Sequence, residues 1–285
     1  MAIKNNFKTI ILLGLLTGIL LWIGSFWGRS GLMFALIFSI ALNFGSYWFS
    51  DKIALAIYRA KPVTESEAPK LHKIVREVSH LANIPMPRVY IIPTNAPNMF
   101  ATGRSPKHAA VAATKGILDL LNDDEIKGVV AHEISHIRNR DILIQSVAAT
   151  IAGVIGYVAM MARWAAIFGG FGGRDRRGGG GLELIILAIL TPILAMIIRL
   201  AISRSREYLA DESGAKLIHN GYSLASALEK LEKGVQHAPL RPTSATETTA
   251  HMMIINPFRG KGIVKIFSTH PPVKERIKRL RSMSV

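Results

Sequence analysis

Four stretches of the chain are almost uninterrupted in apolar residues: Thr9 to Trp27, Gly31 to Phe49, Ile142 to Phe168 and Leu182 to Ile202. Each is about the length that crosses a hydrocarbon core as a helix, roughly 20 residues. Trp22, Trp27, Tyr47 and Trp48 fall near run ends, where aromatic rings favour a membrane interface. No small-x-small cleavage site follows the first run and a second begins at once, so the first reads as a retained anchor rather than a signal peptide. The third and fourth runs flank residues 169–181, a glycine-rich stretch that reads as a flexible loop. These two runs fit either two more crossings or a hairpin that dips into protein or membrane.

Between the second and third runs the pattern changes. Glu65 to Leu81 carries apolar residues at helical spacing. Arg88 to Ile92, opened by Pro85 and Pro87, predicts a strand, and Met99 to Thr102 and Ala109 to Ala113 predict two more. Lys115 to Leu121 begins a helix. Asn122-Asp-Asp-Glu125 has the form of a capping box and predicts the start of another.

Charge sets an orientation. The segment 50–141 carries 13 Lys and Arg and the tail from Ser203 carries 14, whereas the link between the first two runs carries Arg29 alone. Basic residues accumulate on the cytoplasmic side, which predicts four crossings with both ends, the 50–141 segment and the tail in the cytoplasm. The net charge of +16 suits an anionic membrane surface. It does not signal nucleic-acid binding, because the aromatic residues sit in apolar runs rather than among Lys and Arg. With no cysteine, a metal can be held only by His and carboxylate.

The helix begun at Asn122 contains His132-Glu133-Ile-Ser-His136. Residues four apart share a helix face, with Cβ atoms roughly 5–6 Å apart, so two imidazoles can meet one tetrahedral zinc ion. Glu133, turned about 100° away, is placed to act on a water at an open coordination position. A catalytic zinc requires a third protein ligand, and no further histidine follows in Ile137-Arg-Asn-Arg-Asp141. The candidate is Ser203-Arg-Ser-Arg-Glu207-Tyr-Leu-Ala-Asp211, with Glu207 on the metal and Asp211 hydrogen-bonded to a ligating histidine. Spacing leaves open a set of exposed i, i+4 charges partnered by Arg204 and Arg206. His270 and Arg204 are candidates to stabilise a developing oxyanion. Asn98 to Gly103 reads as an exposed edge strand to which an extended peptide can add, through Asn98, Phe100 and Ala101.

Several separate segments resemble the HtpX family of membrane metallopeptidases, relatives of the CAAX prenyl proteases. They are the two N-terminal runs, Asn98-Met-Phe-Ala-Thr-Gly103, Gly116-Ile-Leu-Asp-Leu-Leu121, His132 to His136, Ser203 to Asp211, and Ser268-Thr-His-Pro-Pro272 followed by Glu275-Arg-Ile277. Met99 departs from the smaller residue that relatives often carry. The resemblance implies that Glu207 is the third ligand of one zinc ion per chain. It also implies an integral endopeptidase of the bacterial cytoplasmic membrane, facing the cytoplasm, that cleaves misfolded or damaged membrane proteins. The expected fold is a mainly α membrane protein with a small β element: four apolar helices plus a gluzincin-like α+β metallopeptidase domain. The expected division is a two-span anchor (1–50), a peptidase part with the zinc helix (51–141), a second apolar pair (142–202) and a second peptidase part (203–285). The rival readings are a maturation peptidase for a single client and a non-catalytic scaffold with a structural zinc.

Overall fold

The computed structural model describes residues 2–25, 28–151, 204–258 and 271–284. The glycine-rich stretch, the fourth apolar run and His270 lie outside them. Two N-terminal helices, α1 (Ala2–Ser25) and α2 (Gly28–Ile57), pack against each other. Asn43 Nδ2 donates to Thr17 Oγ1 between them at 2.8 Å. Among the described residues one helix, α2, is long and apolar enough to cross a membrane; in α1 the apolar part is the shorter stretch Thr9–Trp22.

The expected strands are present, β2 (Arg88–Ile92) with the same bounds and β3 (Met99–Gly103) and β4 (Ala109–Thr114) each one residue longer. A two-residue strand, β1 (Lys61–Pro62), completes a sheet of order β1-β2-β4-β3. β2 and β4 are parallel; the outer pairs are antiparallel. Alternation sends successive side chains to opposite faces. Val89, Met99, Ala101, Val111 and Ala113 enter the main core with α3 (Pro69–Leu81) and α5 (Asp123–Arg138). Ile92, Phe100, Ala110 and Ala112 face the end of α2, where Tyr58 lies 5.3 Å from the Phe100 ring. Apolar helix and sheet are thus one packed unit.

After β4 come α4 (Lys115–Leu120) and α5, whose start is the expected capping box. Asn122 Oδ1 accepts from the Glu125 amide and Glu125 Oε2 from the Asn122 amide, each at 2.9 Å. Glu125 also accepts from Ser226 Oγ and Lys230 Nζ, at 2.7 and 2.8 Å, and so ties the start of α5 to a later helix. The third apolar run opens as α6, described over Ile142–Ile151, and these residues are buried. Ser146 on α6 bonds Thr102 at 2.8 Å. The period and composition of a core helix and of a membrane helix are alike here, which is why the sequence fits either a crossing or a hairpin from Ile142 onward.

Four further helices complete the described chain: α7 (Arg204–Leu217), α8 (Gly221–His237), α9 (Ser244–Thr249) and α10 (Val273–Arg281). Two glycines set the approach of α7 and α8 to α5. A Cβ on Gly214 would lie 2.9 Å from the His132 amide nitrogen, and one on Gly128 would lie 2.7 Å from that of Leu224. Gly214, Asp211 and Glu207 follow one another at spacings of three and four, so one face of α7 presses on α5 and carries both acids to the histidines.

Candidate metal centre

His132 and His136 project from the C-terminal half of α5, with imidazoles edge-to-face at 4.7 Å between centroids. Their Nε2 atoms are 3.2 Å apart. Two nitrogens bound at about 2.05 Å to one tetrahedral ion stand about 3.3 Å apart, so the pair is already set for a shared cation. Glu207 completes the group: Oε2 is 3.8 Å from His132 Nε2 and Oε1 3.6 Å from His136 Nε2. All three side chains are buried and form a possible metal site.

The opposite ring nitrogens are held by carboxylates. His132 Nδ1 lies 2.9 Å from Asp211 Oδ1, within ion-pair distance. His136 Nδ1 lies 3.2 Å from Asp141 Oδ2. Such contacts keep a proton on Nδ1 and leave the Nε2 lone pair for the metal. Asp141 was not anticipated from the sequence. It follows the end of α5, where Arg140 takes a left-handed conformation with φ of 58°. The Asp141 amide then donates to the His136 carbonyl at 2.9 Å, which folds the side chain back beneath its own histidine. The second unanticipated residue is Arg276 on α10, fully buried. Its Nε and Nη2 donate to the two Asp211 oxygens at 2.8 and 2.7 Å, and Nη1 donates to the Ile254 carbonyl at 2.8 Å. A chain of contacts therefore runs from Arg276 through Asp211 to His132.

Glu133 is buried and points to the sheet, where Oε2 accepts from the Ala101 amide at 2.8 Å. Burial, opposed by His136 and reinforced by Glu207, pushes its carboxyl up to about 8. Burial would likewise raise Asp211, but the Arg276 guanidinium overcomes it and holds that carboxyl at about 2. Burial pushes His132 down against the pull of Asp211. His136 is pushed up to about 9, because Glu207 and Asp141 outweigh its burial. A cation and a proton therefore compete at His136. Below about pH 9, metal uptake releases a proton, and affinity is expected to climb with pH by up to about tenfold per unit for each proton displaced. Titration of metal uptake between pH 6 and 8 checks this; a flat profile contradicts it.

The strand β3 lies at the sheet edge as expected, but it is buried along its length rather than exposed. Asn98 is occupied internally, donating from Nδ2 to the Ile255 carbonyl at 3.0 Å and accepting from the Met99 amide at 3.1 Å. Its main chain pairs with Thr114, so by alternation Phe100 also pairs toward β4, and its ring enters the core against α2. Of the three expected substrate contacts, Ala101 is the one whose amide faces outward. The outer edge is also met by Ile254, whose amide donates to the Met99 carbonyl at 3.1 Å. Arg204 is exposed at the start of α7. Arg206, two residues on, is buried and acts electrostatically on Asp141 and Glu207.

Known proteins share this frame. The sequence matches the profile of peptidase family M48 over residues 65–284. It is 54% identical to "Protease HtpX homolog" of Syntrophobacter fumaroxidans, over 98% of this chain and 99% of that one. It is 52% identical to the protein of the same description from Thermococcus sibiricus, over 97% and 95% of the two chains. The crystal structure of S. mikatae Ste24p shares the fold with a TM-score of 0.50 at 18% identity, covering 98% of this chain and 66% of that one, so the chain spans about two thirds of that neighbour's length. Profile, full-length relatives and a His132, His136, Glu207 cluster with its supporting acids agree that the chain belongs to peptidase family M48 and is a metallopeptidase.

Proposed function

We propose that this protein is a zinc endopeptidase anchored in the cytoplasmic membrane, with its site toward the cytoplasm, acting on misfolded or damaged membrane proteins as part of a stress response. The observation that carries the chemistry is the pair of Nε2 atoms 3.2 Å apart facing Glu207, each imidazole fixed from behind by an acid. Two nitrogens and a carboxylate suit zinc and leave a fourth position for reactants. When bound, zinc supplies Lewis acidity to the scissile carbonyl and to the attacking water. Glu133 takes the proton from that water and delivers it to the leaving amine as the C–N bond breaks. Asp211 and Asp141 keep both imidazoles in the tautomer that ligation requires. A substrate strand lying along β3 takes up the Ala101 amide by backbone pairing, which gives affinity with little dependence on side chains. His270 or Arg204 supplies positive charge or a donor for the oxyanion.

The membrane assignment rests on α2. Its side chains Phe34, Ile37, Ile40 and Phe44 are exposed, while its last turns are packed into the sheet domain. Tyr58, the residue that follows this helix, contacts Phe100 next to Ala101. Such proximity favours substrates that are cytoplasmic loops or extracted segments of membrane proteins. The test compares one cleavable segment presented as a soluble peptide and as the loop of a bilayer-embedded protein. Cleavage of the embedded form is expected to be faster by about tenfold or more, from the higher effective concentration of a tethered substrate. Equal rates contradict the proposed substrate class.

A further inference from the structure

Exposed apolar side chains line α2 from Leu32 to Phe49, about 26 Å at 1.5 Å per residue, and end where Asp51 and Lys52 begin. That is close to the roughly 30 Å of a hydrocarbon core, so the membrane boundary falls near Trp48 on the domain side. A cleft of about 610 Å³ opens there between α2 and the sheet domain. One wall is apolar, with Phe44, Trp48, Phe49 and Met86. Four cations also line the cleft, Lys52 on α2 and Arg88, Arg104 and Lys107 on the domain side, against a single lining carboxylate, Asp51. Arg88 Nη2 is 2.6 Å from Asp51 Oδ2 and accounts for that charge. The Arg104 guanidinium lies over Trp48, its central carbon 4.4 Å from the ring centroid. A guanidinium held over an interfacial indole is pre-oriented, with its donor edges left for an anion.

We propose that this cleft holds the headgroup of an anionic phospholipid, with Arg104 and Lys107 on the phosphate and an acyl chain lying along Phe44 and the exposed face of α2. A free inorganic anion would use the cations and have no use for the apolar wall. A lipid uses both, and the wall continues directly into the exposed apolar band of α2. The consequence reaches the active site. Arg104 follows Gly103, the last residue of β3, and Gly103 is paired with Ala109, which also lines the cleft. A lipid bound there clamps one end of the strand whose Ala101 amide meets Glu133, and it fixes how that strand is tilted to the bilayer.

This inference rests on α2 being inserted in the bilayer as proposed above. The experiment reconstitutes the metal-loaded full chain in phosphatidylcholine nanodiscs containing a minor fraction of phosphatidylglycerol, and measures lipid retained after detergent release by native mass spectrometry. The wild type is expected to retain phosphatidylglycerol over phosphatidylcholine. R104Q/K107Q is expected to lower that retention at least about tenfold, and K107Q alone to lower it partly. K274Q/K278Q, which removes the same charge from the surface around α10, is expected to leave it unchanged. Millimolar inorganic phosphate is expected not to displace the lipid. Equal loss in both double variants, displacement by inorganic phosphate, or no preference in the wild type overturns the proposal. Alkaline extraction separates the two readings. Release of the wild type from vesicles denies insertion itself, whereas firm insertion without phosphatidylglycerol preference overturns the lipid cleft alone.

Discussion

Glu133→Gln is expected to leave the chain folded and loaded with its metal while lowering peptide hydrolysis by about 10²–10⁴-fold, the range of positioned proton transfer. The amide keeps the shape of the carboxyl but cannot take a proton from water. It still fits beside the Ala101 amide, whose contact at 2.8 Å is the carboxylate's described hydrogen bond. The proposed ligands are untouched, since His132, His136 and Glu207 form the cluster without it. Casein cleavage and metal content, measured on wild type and variant together, check this. A scaffold with a structural metal would hydrolyse nothing in either form. Unchanged hydrolysis in the variant would remove Glu133 from the chemistry.

Arg276→Leu carries the largest expected cost to the fold, about 3–5 kcal/mol, because it strands a buried carboxylate. Arg276 and Asp211 are both almost fully shielded from water, and two of the three described donors to Asp211 and Ile254 come to the acid itself. With Asp211 held at about 2, against an ordinary value near 3.8, the acid contributes stability above pH 3.8 that is lost as pH falls through about 2. Removing Arg276 withdraws that contribution at neutral pH. The expected fall in Tm is on the order of 10 °C for a chain of this size. Adding Asp211→Asn should recover part of the loss, since an amide needs no counter-charge. Metal affinity should fall as well, because Asp211 orients His132. Thermal unfolding of both variants checks the pair; a Tm within 2 °C of wild type in Arg276→Leu contradicts the account. The exposed pair Arg76–Glu65 offers the contrast, since its removal should leave the Tm almost unchanged.

Much of this was legible in the sequence because it is local. His132 and His136 are one turn apart, the capping box spans four residues, and the strands alternate over five or six; each depends on a single period. Glu207 is 71 positions after His136, and only the resemblance singled it out over an exposed charge set. Asp141 was missed because its position depends on one left-handed residue, Arg140, which no composition rule favours at a helix end. Arg276 lies in the Glu275-Arg-Ile277 segment that carries the resemblance, but its role was missed because basic residues crowd the tail and their spacing does not mark the one that is buried. The covering of α6 was left open between membrane and protein for the complementary reason: an apolar run has the same pattern whether lipid or protein covers it. The burial of β3 was hidden too, since the segment around Ile254 that bonds its outer edge lies about 150 residues away.

The central claim is that His132, His136 and Glu207 hold one zinc ion with a position left open. Its most direct test is zinc-edge X-ray absorption on the purified full chain, with metal stoichiometry measured on the same sample and on Glu207→Ala. The account predicts one zinc per chain, two imidazole nitrogens at about 2.0–2.1 Å, protein oxygen at about 2.0–2.2 Å and a further light-atom ligand, with metal affinity sharply reduced in Glu207→Ala. A folded wild-type chain that binds no zinc, or a spectrum unchanged by Glu207→Ala, would contradict it.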